Sequence, residues 1–339
     1  MVYIAKFLLP VVMFMGLLPI QAQAQKNTSF MPGEVWKDTD GNPINAHGGG
    51  ILYHEGTYYW YGEFKGDSTY RLDWVKTWEC WRAEAGGVAC YSSKNLTDWK
   101  FETILASNEN GDIGTMWECP DFFELDGKYV LLTSPQDMLP EGLEFHNGNG
   151  TLCIIGELDP ETHTLKEQFC QGVDYGIDYY AMQTLLAPDG RRIMIAWMQN
   201  WDTLAYRCND SGWFAQMSLP RELSVKNGRL YQVPIRELNA MRANKVEYNN
   251  VVIKDTRLTL DQIEGRTVDL ELVIRPADKD NLYKKFELCF AENEKYHSTL
   301  RFRPDESVLK IDRSFSGSER AVVHQRECLV NGDCNELKL

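Results

Sequence analysis

Residues 126–132 read Asp126-Gly127-Lys128-Tyr129-Val130-Leu131-Leu132, a turn pair followed by an apolar run. An Asp-Gly or Asn-Gly pair ahead of aromatic and branched residues is a strong local signal for a β-hairpin, because these residues tolerate the positive φ of a tight turn. The same arrangement recurs at Glu55-Gly56, Asp189-Gly190 and Asn227-Gly228. Four hairpins in series, with little helical periodicity between them, predict an all-β fold.

The spacing of the hairpins favours one architecture within this class. Their glycines lie 71, 63 and 38 residues apart (127−56, 190−127 and 228−190). These intervals are too irregular for a solenoid, but they suit propeller blades that carry loops of variable length. We therefore predict a β-propeller domain over residues 25–242.

The pattern changes at about Asn244. Apolar and polar residues alternate in four further segments, which are Val246–Tyr248, Val268–Ile274, Phe286–Phe290 and Val308–Asp312. A period of two indicates strands with one buried face, as in a sandwich of two sheets. Residues 244–339 are therefore predicted to form a C-terminal β-sandwich, truncated because the chain stops at Leu339 and leaves an unpaired edge.

The N-terminus has the features of a signal peptide. Lys6 precedes an apolar run at residues 7–20, and Ala22-Gln23-Ala24 supplies a small-residue cleavage site. The run is too short for a comfortable bilayer span. We expect residues 1–24 to be removed, the mature chain to be secreted or periplasmic, and no membrane span to remain.

Composition narrows the set of partners. The chain has 49 acidic and 35 basic residues, a formal net charge of −14, which argues against nucleic acid and anionic membranes. Nine cysteines show no Cys-x-x-Cys spacing, and the six histidines are scattered along the sequence. We predict neither a metal site nor a cofactor.

Glu118 is the strongest catalytic candidate. It lies in the stretch Trp117-Glu118-Cys119-Pro120-Asp121, next to an aromatic ring and a soft thiol. Burial beside an aromatic ring favours the protonated form of a carboxyl group, and a general acid needs that form. The alternative interpretation is a structural glutamate whose hydrogen bonds are satisfied within the fold.

Further motifs follow Glu118 in a fixed order, at residues 178–184, 189–198 and 218–223, which read DYYAMQT, DGRRIMIAWM and SLPREL. From about Tyr91 onward the series resembles glycoside hydrolase family 32, the invertases, levanases and related β-fructosidases. The resemblance implies a five-bladed propeller with a C-terminal sandwich and gives Glu118 the acid/base role. It also implies an oligo- or polysaccharide partner, sucrose or a fructan, and the substrate-binding candidates are Trp117, Cys119, Asp121, Gln183 and Trp197.

The N-terminal part resembles a different family. The segments at residues 38–51 and 58–63 look like the first blade of a glycoside hydrolase family 43 enzyme of the β-1,3-galactanase-like type. Family 32 has Asn-Asp-Pro-Asn-Gly here, with the Asp as nucleophile, whereas this chain has Asn45-Ala46-His47-Gly48-Gly49. The Arg-Asp-Pro triplet that holds the stabilising aspartate of family 32 is also absent. The nucleophile is therefore unassigned.

Three acidic residues near this segment are candidate substitutes for the nucleophile. Asp38 and Asp40 precede Gly41 and are better interpreted as caps of a turn, and Glu63 belongs to the next strand. For Asp40 or Glu63 we expect neither the separation of about 5 Å from Glu118 that retention needs nor the roughly 6.5 to 9.5 Å of inversion.

The two resemblances meet near residues 91–116. Only about twenty residues separate the end of the first blade from Glu118, too few for another four-stranded sheet, so about one blade is predicted to be missing. Three functions remain open. The chain is a β-fructosidase-like hydrolase, a family 43-like enzyme acting on galactan or an arabinose polymer, or a catalytically defective glycan-binding hybrid.

Overall fold

The computed structural model describes residue 29 and residues 31–66, 69–71, 73, 81–83, 86–108, 113–198, 216–317, 323–330 and 336–339. The predicted signal peptide lies outside these residues. The described part is nearly all-β, and its helical content is a short 3-10 segment at Arg236–Met241. Within it, no helix has the length and apolar character that a membrane crossing requires.

Twenty strands account for the regular structure of the described residues. In chain order they are β1 (His47–His54), β2 (Thr57–Glu63), β3 (Thr69–Arg71), β4 (Trp81–Ala83), β5 (Gly87–Ser93), β6 (Lys100–Ser107), β7 (Met116–Leu125), β8 (Lys128–Gln136), β9 (Leu152–Leu158), β10 (Leu165–Gly172), β11 (Tyr180–Leu186), β12 (Arg192–Trp197), β13 (Arg221–Lys226), β14 (Arg229–Pro234), β15 (Val273–Ile274), β16 (Phe286–Phe290), β17 (Ser298–Arg303), β18 (Val308–Asp312), β19 (Gln325–Leu329) and β20 (Leu337–Lys338).

Three four-stranded antiparallel sheets follow one another along the chain. The first sheet has the order β1-β2-β5-β6, the second β10-β9-β8-β7 and the third β11-β12-β13-β14. Strands β3 and β4 form a two-stranded ribbon between β2 and β5. In the described residues strand pairing stays within each of these sheets, and no sheet closes into a barrel. The all-β prediction is confirmed.

The four predicted hairpins all form. Glu55-Gly56, Asp126-Gly127 and Asn227-Gly228 connect β1 to β2, β7 to β8 and β13 to β14, and in each pair both residues have positive φ, between 46° and 76°. This geometry matches the right-handed twist of the flanking strands. Asp189-Gly190 lies in a longer loop between β11 and β12, where only the glycine has positive φ.

Side chains from facing sheets build two cores on opposite sides of the second sheet. Neighbouring residues of a strand point to opposite faces, so β7 and β8 supply both cores. The core shared with the first sheet includes Tyr61, Val88, Trp117, Phe122 and Leu131. The core shared with the third sheet includes Phe123, Leu132, Met182, Met194 and Leu223. Full burial of each such side chain contributes about 1.5 to 3 kcal/mol, so the second sheet holds the other two together.

The C-terminal region is less regular than its alternating pattern predicts. Strands β16, β17, β18 and β19 form one antiparallel sheet, and β15 pairs with β20. The strands predicted at Phe286–Phe290 and Val308–Asp312 are confirmed. Val246–Tyr248 is not a strand, and of Val268–Ile274 only the last two residues pair. Tyr248 is 42% exposed and Val268 53%, and alternation alone does not make a strand where no neighbour supplies hydrogen bonds.

Candidate active site

In each of the three sheets, the strand that comes first along the chain contains a β-bulge near its start. The pairing register shifts between His47 and Gly50 in β1, between Glu118 and Asp121 in β7, and between Tyr180 and Gln183 in β11. Within these bulges Gly48, Cys119 and Ala181 have φ of 63°, 53° and 52°. A bulge bends its strand and redirects the neighbouring side chain. The residues immediately before the three positive φ values are His47, Glu118 and Tyr180.

Glu118 is partly buried, and two side chains hold one of its carboxylate oxygens. The amide Nε2 of Gln136 and the hydroxyl of Tyr180 each lie 2.8 Å from Oε2. The Tyr180 hydroxyl is also 2.9 Å from the carbonyl oxygen of Ser134, and its single proton serves one acceptor at a time. Tyr180 is only 2% exposed, so the surrounding core holds its ring in place. Its hydroxyl in turn holds the carboxyl group of Glu118.

A second carboxylate lies across the boundary between the first and second sheets. Glu63, at the end of β2, has a side chain that is 2% exposed. Its Oε2 is 3.0 Å from Nδ1 of His47 and 3.4 Å from Nζ of Lys65, and its Oε1 accepts the backbone N–H of Cys119 at 3.2 Å. Because Cys119 follows Glu118, one backbone amide links the two acidic residues.

Cys119 shapes the bulge and stays protonated. Its carbonyl oxygen accepts a hydrogen bond from Nε2 of Gln183 at 3.0 Å. Burial, reinforced by the negative charges of Glu118 and Glu63, raises the pKa of the Cys119 thiol to about 11. The exposed Gln183, on β11 of the third sheet, thus contacts β7, the strand that carries Glu118, through its amide nitrogen.

Asp121 joins β7 to the third sheet. Its Oδ2 accepts the backbone N–H of Thr184 at 2.7 Å and the Thr184 hydroxyl at 2.5 Å, and Nη2 of Arg192 lies 3.5 Å from Oδ1. Burial raises the pKa of Asp121, although the Thr184 hydrogen bonds and the Arg192 charge oppose that shift. The carboxylate is 9% exposed, and its contacts connect β7 with the third sheet.

The two tryptophans among the candidates occupy different environments. Trp117 is 1% exposed and lies in the core between the first and second sheets, where its indole nitrogen donates to the carbonyl oxygen of Ile113 at 2.8 Å. Trp197 is partly buried and lies directly opposite Tyr180 in the β11–β12 pair. The structure therefore brings Glu118, Cys119, Gln183 and Trp197 together around the bulges, whereas Trp117 and Asp121 point into the packing between sheets.

The candidate nucleophiles near the start of β1 lie in different environments from those of Glu118 and Glu63. Oδ1 of Asp38 accepts the backbone N–H groups of Asp40 and Asn42, so its predicted role as a turn cap is confirmed. Asp40 is exposed. Ala46 is 5% exposed and packs with Ala89, Tyr91 and Trp99. The side chain at position 46 therefore points into a core, and position 47 is the one that meets Glu63.

Sequence reasoning did not single out His47, Gln136 or Tyr180 as members of the site. Tyr180 lies within the motif at residues 178–184 and His47 within the unusual segment at residues 45–49, so both were visible as parts of motifs. Their contacts join residues 16 and 62 positions apart. Only the packing of the sheets brings these pairs together.

The comparison with protein families follows this geometry. Residues 63–234 match the model of the glycosyl hydrolases family 32 N-terminal domain, which is half of the chain. The chain belongs to glycoside hydrolase family 32. The match includes both Glu63 and the Glu118 bulge, and it begins well upstream of Tyr91, where the sequence resemblance was first placed.

Curated relatives of this family 32 chain include two enzymes named for sucrose-6-phosphate hydrolysis. The sucrose-6-phosphate hydrolase of Staphylococcus xylosus is 34% identical over 232 residues, which cover 68% of this chain and 46% of the relative. The probable sucrose-6-phosphate hydrolase of Psychromonas ingrahamii is 41% identical over 247 residues, covering 69% of this chain and 43% of the relative. The chain thus spans about half the length of these relatives.

Solved structures share this fold. A mutant family 32 β-fructofuranosidase of Bombyx mori in complex with sucrose superposes with a TM-score of 0.62 at 25% identity, covering 92% of this chain and 58% of that one. An exo-inulinase of Aspergillus awamori superposes with a TM-score of 0.60 at 18% identity, covering 86% and 56%. The second likeness shows the fold alone.

Proposed function

We propose that this family 32 chain hydrolyses β-fructosidic bonds of sucrose or fructans, with Glu118 as the acid/base. The observation that carries the proposal is the position of Glu118 on the bulge of β7, where Tyr180 and Gln136 hold Oε2 at 2.8 Å each. A carboxyl group fixed through one oxygen can present the other to a substrate. General acid catalysis requires this kind of positioning within hydrogen-bond reach of the leaving oxygen.

The surrounding residues suit sugar binding. Gln183 is exposed beside the bulge, and its side-chain carbonyl remains a hydrogen-bond acceptor while Nε2 is engaged by Cys119. Trp197 is partly buried and lies opposite Tyr180 in the β11–β12 pair. We include both as substrate contacts. The proposal also comprises an incomplete propeller formed by the three sheets over residues 25–242, a sandwich over residues 244–339, and secretion directed by residues 1–24.

Phosphorylated and unphosphorylated fructosyl substrates need to be distinguished. Relatives named for sucrose-6-phosphate hydrolysis suggest a phosphorylated disaccharide, and the structural neighbour holds sucrose. The predicted signal peptide favours unphosphorylated sucrose, levan or inulin. Release of fructose or fructose phosphate from sucrose, sucrose 6-phosphate, levan and inulin, measured side by side, assigns the substrate.

A family 43-like activity on β-1,3-galactan or arabinan is the second candidate. The first sheet favours it, because β1 carries His47-Gly48-Gly49-Gly50 and no aspartate follows Asn45. Release of galactose or arabinose without fructose would support this candidate. Retained glycan binding without any sugar release would support a non-catalytic, glycan-binding chain.

The decisive variant for the acid is Glu118→Gln, since an amide cannot donate a proton to the departing oxygen. Loss of the general acid is expected to lower kcat about a hundred- to ten-thousand-fold. Glu124→Gln, an exposed change on the same strand, is the matched control and is expected to keep full activity. Initial rates on sucrose and levan measure both variants, and unchanged turnover in Glu118→Gln would remove the assignment.

A further inference from the structure

A polar cavity lies where the C-terminal sheet meets the second and third sheets. Its walls come from the segment between β8 and β9, from the segment that leads into β11, and from Arg326 on β19. Glu118 and the two side chains that hold it, Gln136 and Tyr180, are not among the described residues that line it. The cavity is therefore separate from the candidate active site.

The cavity is small and partly open to solvent. Its volume of about 30 Å³ exceeds the roughly 10 to 15 Å³ that one water-sized group needs, so two such groups fit. Two neighbouring hydroxyl groups of one molecule are a pair of this size. A whole sugar ring does not fit inside, and the rest of such a molecule would remain at the open side.

His146 presents a buried hydrogen-bond acceptor to the cavity. Its Nε2 is buried and has no partner among the described residues. The hydrogen bond between the ring and the backbone of Glu327 raises the pKa of His146, so the acceptor in that bond is the carbonyl oxygen and the donor is Nδ1. Burial and the charge of Arg326 outweigh this contact and lower the pKa of His146. The ring is therefore neutral at neutral pH, and Nε2 holds a lone pair that needs a donor.

Tyr179 is a second buried polar group in the wall of the cavity. It is 7% exposed, and its hydroxyl makes no hydrogen bond of normal geometry with a described residue, although Ser218 approaches it. Buried polar groups without a partner destabilise a fold, and a ligand that pairs with them removes this penalty. His146 and Tyr179 together favour a ligand that can both donate and accept.

Glu144 adds a further acceptor to the same wall. Its Oε1 accepts the backbone N–H of Gly172 at 2.8 Å and the hydroxyl of Tyr175 at 2.6 Å. Its Oε2 is 3.9 Å from Nη2 of Arg229, which is beyond hydrogen-bond distance. This oxygen can therefore accept a hydrogen bond from a ligand at the open side.

The charges of the wall narrow the chemistry of the ligand. Carboxylates of Glu144 and Asp174 line the cavity and disfavour an anion such as phosphate. Among the described residues, no group of three or more His, Cys, Asp and Glu side chains could hold a metal ion. A hydroxyl group is neutral and both donates and accepts, so it suits this set of partners.

We propose that this cavity is a second carbohydrate-binding site, which takes two neighbouring hydroxyl groups of a neutral sugar. The first hydroxyl donates to Nε2 of His146, and the second pairs with the hydroxyl of Tyr179. The site does not depend on hydrolysis at Glu118, so it stands or fails separately from the proposed function.

The binding is tested by 15N spectroscopy of the His146 ring in the full-length Glu118→Gln chain, in which sucrose stays intact. The resonance is assigned through His146→Gln. Titration with sucrose is expected to shift Nε2 saturably while Nδ1 stays protonated. Glycerol is expected to bind at least about tenfold more weakly, because its flexible diol loses more rotational freedom on binding than the rigid diol of a sugar ring. Equal affinity for glycerol would overturn the assignment to sugars.

Equilibrium dialysis against sucrose counts the sites. His146→Phe removes the lone pair and fills the space with a larger ring, so it is expected to lower the number of sucrose molecules bound by one per chain. His146→Gln is expected to keep that molecule, because its side-chain oxygen can accept where Nε2 does. His54→Phe at the exposed end of β1 is the control and is expected to change nothing. Circular dichroism verifies that each variant is folded.

The outcomes separate this site from the proposed function. An Nε2 resonance that does not respond to sucrose would show that the cavity holds ordered water only, and would overturn the site even in a chain that hydrolyses sucrose. An unchanged number of bound sucrose molecules in His146→Phe would overturn it as well. A saturable shift in a chain that releases no fructose would support the site and refute the proposed function.

Discussion

His47, Glu118 and Tyr180 come from three different sheets, and at each of these residues the side chain is redirected by the residue that follows it. Cys119 and Ala181 adopt positive φ although neither residue type favours it. Such conformations cost about 1 to 3 kcal/mol each and persist only where the surrounding structure enforces them. Here the enforcement is visible. The Cys119 amide donates to Glu63, and the Ala181 amide donates to Oγ of Ser134 at 2.9 Å.

The thiol of Cys119 gives a prediction at the residue scale. Burial and the charge of Glu118 raise its pKa to about 11, and only the thiolate reacts with iodoacetamide. At pH 8 the thiolate fraction is therefore expected to be lower than that of an ordinary cysteine by a factor on the order of a hundred. Mass spectrometry of the Cys119 peptide, alkylated in the native chain and in urea, measures this ratio.

The cause of the raised pKa of the Cys119 thiol suggests a control variant. Because the Glu118 carboxylate contributes to the raised pKa, Glu118→Gln is expected to lower that pKa and to speed native alkylation. Equal rates in the folded and unfolded chain would contradict the burial of the thiol.

Elements differ in how far the sequence determines them. The turns at Asp126-Gly127 and Asn227-Gly228 were predictable because a dipeptide encodes positive φ locally. The bulges at Cys119 and Ala181 were not, because no residue type marks them and tertiary hydrogen bonds enforce them. Glu118 could be recognised from its neighbours, whereas the link from Tyr180 to Glu118 spans two sheets. The strand predicted at Val246–Tyr248 does not form for a related reason, because the sequence of a segment does not determine whether a neighbouring strand pairs with it.

The bulge of β1 can be tested through Gly48. A Cβ at this position would lie 2.4 Å from Oε1 of Glu63, and φ is 63°. Gly48→Ala is therefore expected to destabilise the chain by about 1 to 3 kcal/mol, from backbone strain and displacement of Glu63. Urea unfolding followed by tryptophan fluorescence measures the change.

Gly50 provides the matched control on the same strand. A Cβ there meets no atom within 4 Å, so Gly50→Ala is expected to leave stability within about 0.5 kcal/mol of wild type. Equal stability of the Gly48 and Gly50 variants would show that the bulge tolerates a side chain.

At the scale of the whole molecule, side chains of the described residues pack on both faces of the second sheet and on one face of the third. Leu185, Ile193, Glu222 and Val233 lie directly opposite one another across the third sheet. They therefore share a face, and it is the face turned away from the Met194 and Leu223 core. Leu185 is 56% exposed and Val233 58%. These two side chains therefore leave apolar surface open to solvent on that face of the third sheet.

That exposed row predicts self-association. Exposed apolar side chains on the face of a sheet are an aggregation liability, and lysine on such a face counteracts it. The double variant Leu185→Lys and Val233→Lys is expected to lower light scattering at high concentration and binding of a hydrophobic dye by severalfold, with the fold unchanged by circular dichroism. Leu139→Lys is the control, because Leu139 is 63% exposed but lies in a loop away from this face. If the control lowers scattering as much as the double variant does, net charge and not this face governs association.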